Sequence, residues 1–215
     1  MRKIDKKSLG VVCFAAMMMI GVMGCDNIGE ATTETSTEAT AEATTEATTE
    51  AATESTSISQ RSLKAGDYTD VSNSYTITLP KGEWETIDER LTKTSICSDR
   101  DLIEIDNITE KSKVKETLKE IPTLKKSFEK YIEKQKTGLY EDAELVASKF
   151  TKENETTGNW YYTFKINDEV YNYVTFFATY TNDHVVMATG YTEGSDGARK
   201  TVQKCVRSIK LIDKK

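Results

Sequence analysis

The residues from about 60 onward predict an α+β fold, an antiparallel sheet with flanking helices. Three observations carry that expectation. Trp160, Tyr162, Phe164 and Ile166 alternate with Tyr161, Thr163 and Lys165, and two further strand-like segments, Tyr171 to Tyr180 and Val185 to Tyr191, follow after turns at Asn167-Asp168-Glu169 and Asn182-Asp183, as in a meander. Leu124, Phe128, Tyr131 and Ile132 fall on one face at helical spacing. Near the end of the chain Val202, Cys205, Val206 and Ile209 repeat as i, i+3, i+4, i+7, the stripe of an amphipathic helix.

The elements follow in order. Tyr75, Ile77 and Leu79 alternate with Thr76 and Thr78, a half-buried strand that Pro80 and Gly82 end before Trp84. Ile96 falls in a second strand and Leu102 to Ile108 in a third, with Ser98-Asp99-Arg100-Asp101 turning the chain between them. A helix starts near Thr123, with Pro122 at its beginning, Lys134 and Lys136 in its last turn and Gly138 as its stop. Glu144 to Phe150 reads as a strand, and Tyr171 to Tyr180 is apolar or aromatic on both faces, as a central strand covered on two sides would be. Gly194, Ser195 and Asp196 supply turn and N-cap chemistry for the last helix.

The residues before this domain have a different character. Arg2, Lys3, Lys6 and Lys7 precede a charge-free apolar run from Ser8 to Gly24, which is shorter than the ~20 apolar residues of a membrane-spanning helix. This is the pattern of a secretory signal over residues 1–24. Its end, Val22-Met23-Gly24-Cys25, resembles the bacterial lipobox. That resemblance implies that Cys25 carries the lipid and becomes the first residue after cleavage, which places the protein at the extracytoplasmic face of the bacterial cell membrane. Residues 25–59 are rich in Thr, Glu and Ala, with Glu30, Glu34, Glu38, Glu42, Glu46, Glu50 and Glu54 at every fourth position. Like charges at i,i+4 oppose a helix and no apolar stripe is present to pack, so the expectation is a disordered tether ahead of a single domain at 60–215.

Charge narrows the partners. Four of the 29 Lys and Arg fall in the signal, leaving 25 for the domain; one of the 35 Asp and Glu falls there and eight in the tether, leaving 26. A nearly neutral domain excludes nucleic acid as the expected partner, because phosphate recognition calls for a basic face. The expected partners are the membrane, through the lipid, and a protein of the cell envelope.

Tyr75-Thr76-Ile77-Thr78-Leu79-Pro80, followed by Gly82 and Trp84, is similar to the opening strand of PsbP-like domains, and Val202 to Leu211 is similar to their final helix. The resemblance covers about 75–212 and implies an α/β/α sandwich around an antiparallel sheet, acting as a noncatalytic binding or assembly module without a cofactor. It carries over no functional residue.

Motifs for catalysis are few. His184 is the only histidine, placed beside Asp183 in the last hairpin turn and read as an exposed turn residue. No Walker, HExxH, GxGxxG or GxSxG pattern occurs. Cys97 and Cys205 either form a disulfide, which an exported domain permits, or are separate thiols. Asp99, Asp101, Glu104 and Asp106 form an acidic cluster in sequence, as a solvated hairpin or a weak calcium site. Tyr161, Tyr171 and Tyr173 are the candidates for stacking on a glycan or small molecule, should the face opposite the core be open.

Overall fold

The computed structural model describes residues 60–139, 142–154 and 156–212. Cys25, the signal and the tether lie outside the described residues. Eight antiparallel strands form the main sheet: β1 (Arg61–Leu63), β4 (Trp84–Glu89), β5 (Lys93–Cys97), β6 (Asp101–Ile108), β7 (Glu144–Lys152), β8 (Gly158–Lys165), β9 (Tyr173–Tyr180) and β10 (Val185–Thr192). Their spatial order is β1-β4-β5-β6-β10-β9-β8-β7. A small sheet holds β2 (Gly66–Thr69), β3 (Tyr75–Leu79) and β11 (Lys210–Leu211) in the order β11-β3-β2. The helices are α1 (Lys111–Glu120), α2 (Lys125–Leu139) and α3 (Asp196–Val206).

The main sheet is two meanders joined at β6 and β10, which pair along their whole length from Val185 opposite Ile108 to Thr192 opposite Asp101. Between them α1 and α2 carry the chain from the centre of the sheet to its far edge at β7. On one face Ile96, Ile103, Ile105, Phe177, Val186 and Ala188 meet Tyr75, Ile77 and Leu79 of the small sheet and Cys205, Val206 and Ile209 from the end of the chain. Gly190 lets α3 approach, since a Cβ there would lie 2.7 Å from Val202 Cγ1 and 3.0 Å from Val206 Cγ1. On the other face α2 lays Phe128, Tyr131 and Ile132 over the β8 rings: Phe128 and Tyr131 are each 5.7 Å from Trp160, and Tyr162 is stacked on Phe176 at 4.9 Å. The fold class expected from the sequence, an antiparallel sheet with helices on its faces, is the one observed.

Besides the short added strands β1 and β2, four details differ from the expectation. Leu124 precedes α2 rather than joining its buried stripe, and it is 57% exposed. α1 is an additional helix; Val114 is its one fully buried residue, too little apolar periodicity to announce it. The last helix stops at Val206; Ile209 is buried beyond its end, and Lys210–Leu211 pair with Thr76 and Tyr75 of β3. β4 is a further strand, with Trp84 and Thr86 buried but a register shift between Thr86 and Asp88 that breaks the alternation.

Candidate functional site

The densest polar structure lies where three loops meet at Asn107, the last buried residue of β6. The β2–β3 connection is built around Asp70, whose carboxylate accepts the backbone N–H of Ser72 (3.0 Å), Ser74 (2.7 Å) and Tyr75 (2.8 Å) and the hydroxyls of Ser72 and Ser74. Asn73 holds the tight turn with φ +50°, a left-handed conformation that asparagine tolerates. Asp70 is 4% exposed. Burial acts to raise its pKa, but the hydrogen bonds from Ser72, Tyr75 and Ser74 outweigh it and hold the carboxyl below the usual range.

Asn107 ties this turn to the other two loops. Its Nδ2 donates to Ser74 Oγ (2.8 Å), Ser72 Oγ (3.0 Å) and the Leu91 carbonyl (2.9 Å) in the β4–β5 turn. The Leu91 carbonyl accepts only, so the amide nitrogen must face it and Oδ1 must face His184, whose Nε2 lies 2.7 Å away. His184 Nε2 therefore carries the proton and donates. The network then runs from His184 to Asn107, from Asn107 to the two serines, whose hydroxyls also lie 2.6 Å from each other, and from the serines to Asp70. No serine here is set up as a nucleophile: Ser72 and Ser74 donate to a carboxylate of lowered basicity, and the histidine is separated from them by an amide. His184 is half-buried in this network rather than an exposed turn residue. Beside the braced loops Val71 and Leu91 are 51% and 66% exposed.

The residues singled out in the sequence do not converge. Tyr161 lies on the α3 face of β8, half-buried, with the Arg207 guanidinium carbon 4.3 Å from its ring centre. Tyr173 has Arg199 at 5.8 Å. Tyr171 packs on Tyr191 at 5.2 Å, and Tyr191 lies opposite Leu102 and Val174, on the reverse face of the sheet. The three rings form no common platform. Cys97 and Cys205 are both buried and not bonded to each other. Cys97 lies opposite Leu102, across the sheet from Ile96 and Ile103, with which Cys205 packs, so the sheet separates the two thiols; of the two alternatives, separate thiols is the one observed. Burial pushes the Cys205 thiol up to about 12, with the nearby Asp101 adding to the shift. The acidic cluster is divided in the same way. Asp101 shares the face of Ile103, Glu104 and Asp106 point to the opposite face, and Asp99 is exposed in the turn.

Asp106 is nevertheless unusual. It lies between Lys93 and Met187 on the neighbouring strands. Burial raises its carboxyl to about 7, a rise that Lys93 and Arg90 oppose and Glu104 adds to. A folded pKa above the unfolded ~3.9 means that its contribution to stability is full below about pH 4 and is lost as the pH rises toward 7. Asp106→Asn removes that loss. Urea titration is expected to show the variant more stable than the parent by about 1–3 kcal/mol at about pH 8 and equal to it near pH 4. Equal stability at the higher pH would mean that Asp106 ionises normally.

No family model matches the chain, and no curated protein matches it. It is similar to the solution structure of the cyanobacterial PsbP protein (CyanoP) from Synechocystis sp. PCC 6803, with 13% identity and a TM-score of 0.43 over 72% of this chain and 94% of that one. It is also similar to a crystal structure of a protein from Bacteroides thetaiotaomicron, with 12% identity and a TM-score of 0.40 over 70% of this chain. The match covers 50% of the Bacteroides protein, so the chain spans half its length. At this level of similarity neither structure says what the chain binds or does.

Proposed function

We propose that the chain is a lipoprotein held at the extracytoplasmic face of the cell membrane through Cys25, and that its folded domain is a noncatalytic module that binds or helps assemble a protein of the cell envelope. The lipobox-like Val22-Met23-Gly24-Cys25 after a charge-free run supports the anchor. The binding role rests on the loop cluster at Asn107. Its hydrogen bonds are spent on holding three loops rigid, and the braced loops present Leu91 and Val71 to solvent. Rigid loops with exposed apolar tips suit a partner surface, because little conformational entropy is lost on contact. The half-buried rings of Tyr161, Tyr171 and Tyr173 form no common platform and give no support to a glycan-binding alternative.

Crosslinking in intact cells, followed by purification and mass spectrometry, tests the reading. The expected result is a reproducible envelope protein that is lost when residues 60–215 are deleted with the tether kept, and that is depleted by Leu91→Asp. Recovery of abundant membrane proteins alone, unchanged by either alteration, would overturn it.

A further inference from the structure

The charge of the domain is unevenly placed. From Lys111 to Leu139, α1 and α2 carry nine lysines and four glutamates, whereas the rest of residues 60–215 carries 16 basic and 22 acidic residues. Both helices lie on one face of the main sheet: α2 covers the β8 rings, and Glu120 at the end of α1 is close enough to Tyr131 to help burial raise its pKa to about 12. Lys111, Lys115 and Lys119 recur at i,i+4 along α1, and Lys126, Lys130 and Lys134 do so along α2; all six are exposed. Like charges at that spacing destabilise a helix, and helix-stabilising surfaces alternate glutamate with lysine instead. Among the described residues none of the six has an ion-pair partner; Lys113 pairs with Glu110 at 3.0 Å. Leu124, 57% exposed, sits at the joint between the helices, with Lys119 before it and Lys125 and Lys126 after it.

Two unneutralised lysine stripes around an exposed leucine match an anionic phospholipid surface, which neutralises the stripes and takes the apolar side chain into the boundary between headgroups and acyl chains. We propose that the α1–α2 layer rests on anionic phospholipid, with Lys111, Lys115, Lys119, Lys126, Lys130 and Lys134 on the headgroups and Leu124 inserted. The lipid anchor would bring the layer to that surface, so the biological setting rests on the anchored reading. The contact itself needs no lipid on Cys25. An acidic protein would meet the charge but gives no reason for a lone exposed leucine among the lysines.

The test uses the chain from residue 25 with Cys25→Ser, which carries no lipid, and vesicles of phosphatidylcholine with or without about 30 mol% phosphatidylglycerol. Flotation at low salt is expected to show at least about 10-fold more protein on the anionic vesicles, falling as ionic strength rises. Replacing the six lysines by glutamine is expected to remove that preference while circular dichroism and the melting temperature stay those of a folded domain. Leu124→Ser is expected to lower binding several-fold at unchanged charge. Equal binding to both vesicle types, or a preference that survives the six substitutions, would overturn the proposal. A separate measurement, the mass of the Cys25 peptide from cell membranes, tests the anchor. An unmodified cysteine there would sink the anchored reading and leave the vesicle result standing.

Discussion

Asp70→Ala is expected to lower the unfolding free energy by about 3–5 kcal/mol, measured by urea denaturation at neutral pH. The carboxylate accepts three backbone N–H groups and two hydroxyls in a turn where it is 4% exposed. Alanine leaves several of these donors without an acceptor, and each buried unsatisfied donor costs about 1–3 kcal/mol. Asp70→Asn retains one acceptor oxygen but turns an NH₂ toward other donors, and is expected to cost less than alanine. The pH dependence separates this role from simple packing. The Asp70 carboxyl titrates below its usual value, so its contribution is full above the unfolded pKa of about 4 and is lost as the pH falls through the folded value. The parent protein should therefore lose stability steeply in acid, and Asp70→Ala should show a shallower decline. A variant with the parent's acid limb would show that Asp70 is not the group that titrates. Because Ser72 and Ser74 also accept from Asn107, the same substitution should loosen the β4–β5 and β9–β10 turns. Leu91 would then lose the rigid mount on which the proposed partner contact depends.

The frame of the domain was legible where periodicity was strong. Trp160, Tyr162, Phe164 and Ile166 recur at every second position, although Thr163 between them is buried too, and Tyr171 to Tyr180 is apolar on both faces because α3 covers one side and α2 with its neighbours covers the other. Where burial is sparse the signal fails. α1 buries Val114 and otherwise presents lysines and glutamates to solvent, and β4 changes face at its register shift. Leu124 fits the helical spacing of the α2 stripe, yet Pro122 and the Ser127 side chain, which caps Leu124 through its backbone carbonyl at 2.7 Å, hold it ahead of the first turn. The site was not legible at all. Asp70, Asn107 and His184 are spread over more than a hundred positions, joined by hydrogen bonds between elements that no local pattern connects. The available hint was the run Asp70-Val71-Ser72-Asn73-Ser74, whose residue types favour side-chain-to-backbone turns. Cys97 and Cys205 illustrate the opposite risk: two cysteines in a domain expected to be exported invite pairing, but which face of a strand each occupies depends on register, and one residue of register moves a side chain through the sheet.

Trp160→Ala is expected to cost about 3–5 kcal/mol, the range for removing a large buried aromatic. The indole is 2% exposed and touches Phe128, Tyr131 and Tyr162 with ring centres within 5.7–5.8 Å, so it is the surface on which α2 is seated. The loss should be uneven: amide exchange in α2 should accelerate more than in β9 and β10, which keep their backbone pairing and their packing against α3. Trp160→Phe separates packing from polarity. Trp160 Nε1 is buried with no hydrogen-bond partner among the described residues, so phenylalanine removes an orphaned donor along with part of the ring. An unsatisfied buried donor costs about 1–3 kcal/mol, comparable with the packing that a smaller ring forfeits, and the net change is expected to stay within about 1 kcal/mol. If phenylalanine costs as much as alanine, the indole nitrogen is bonded in solution and its hydrogen bond, rather than ring packing, seats α2. If phenylalanine is neutral and alanine severe, α2 is held by aromatic packing alone. In that case the lysine-rich layer can shift against the sheet without breaking a directional bond.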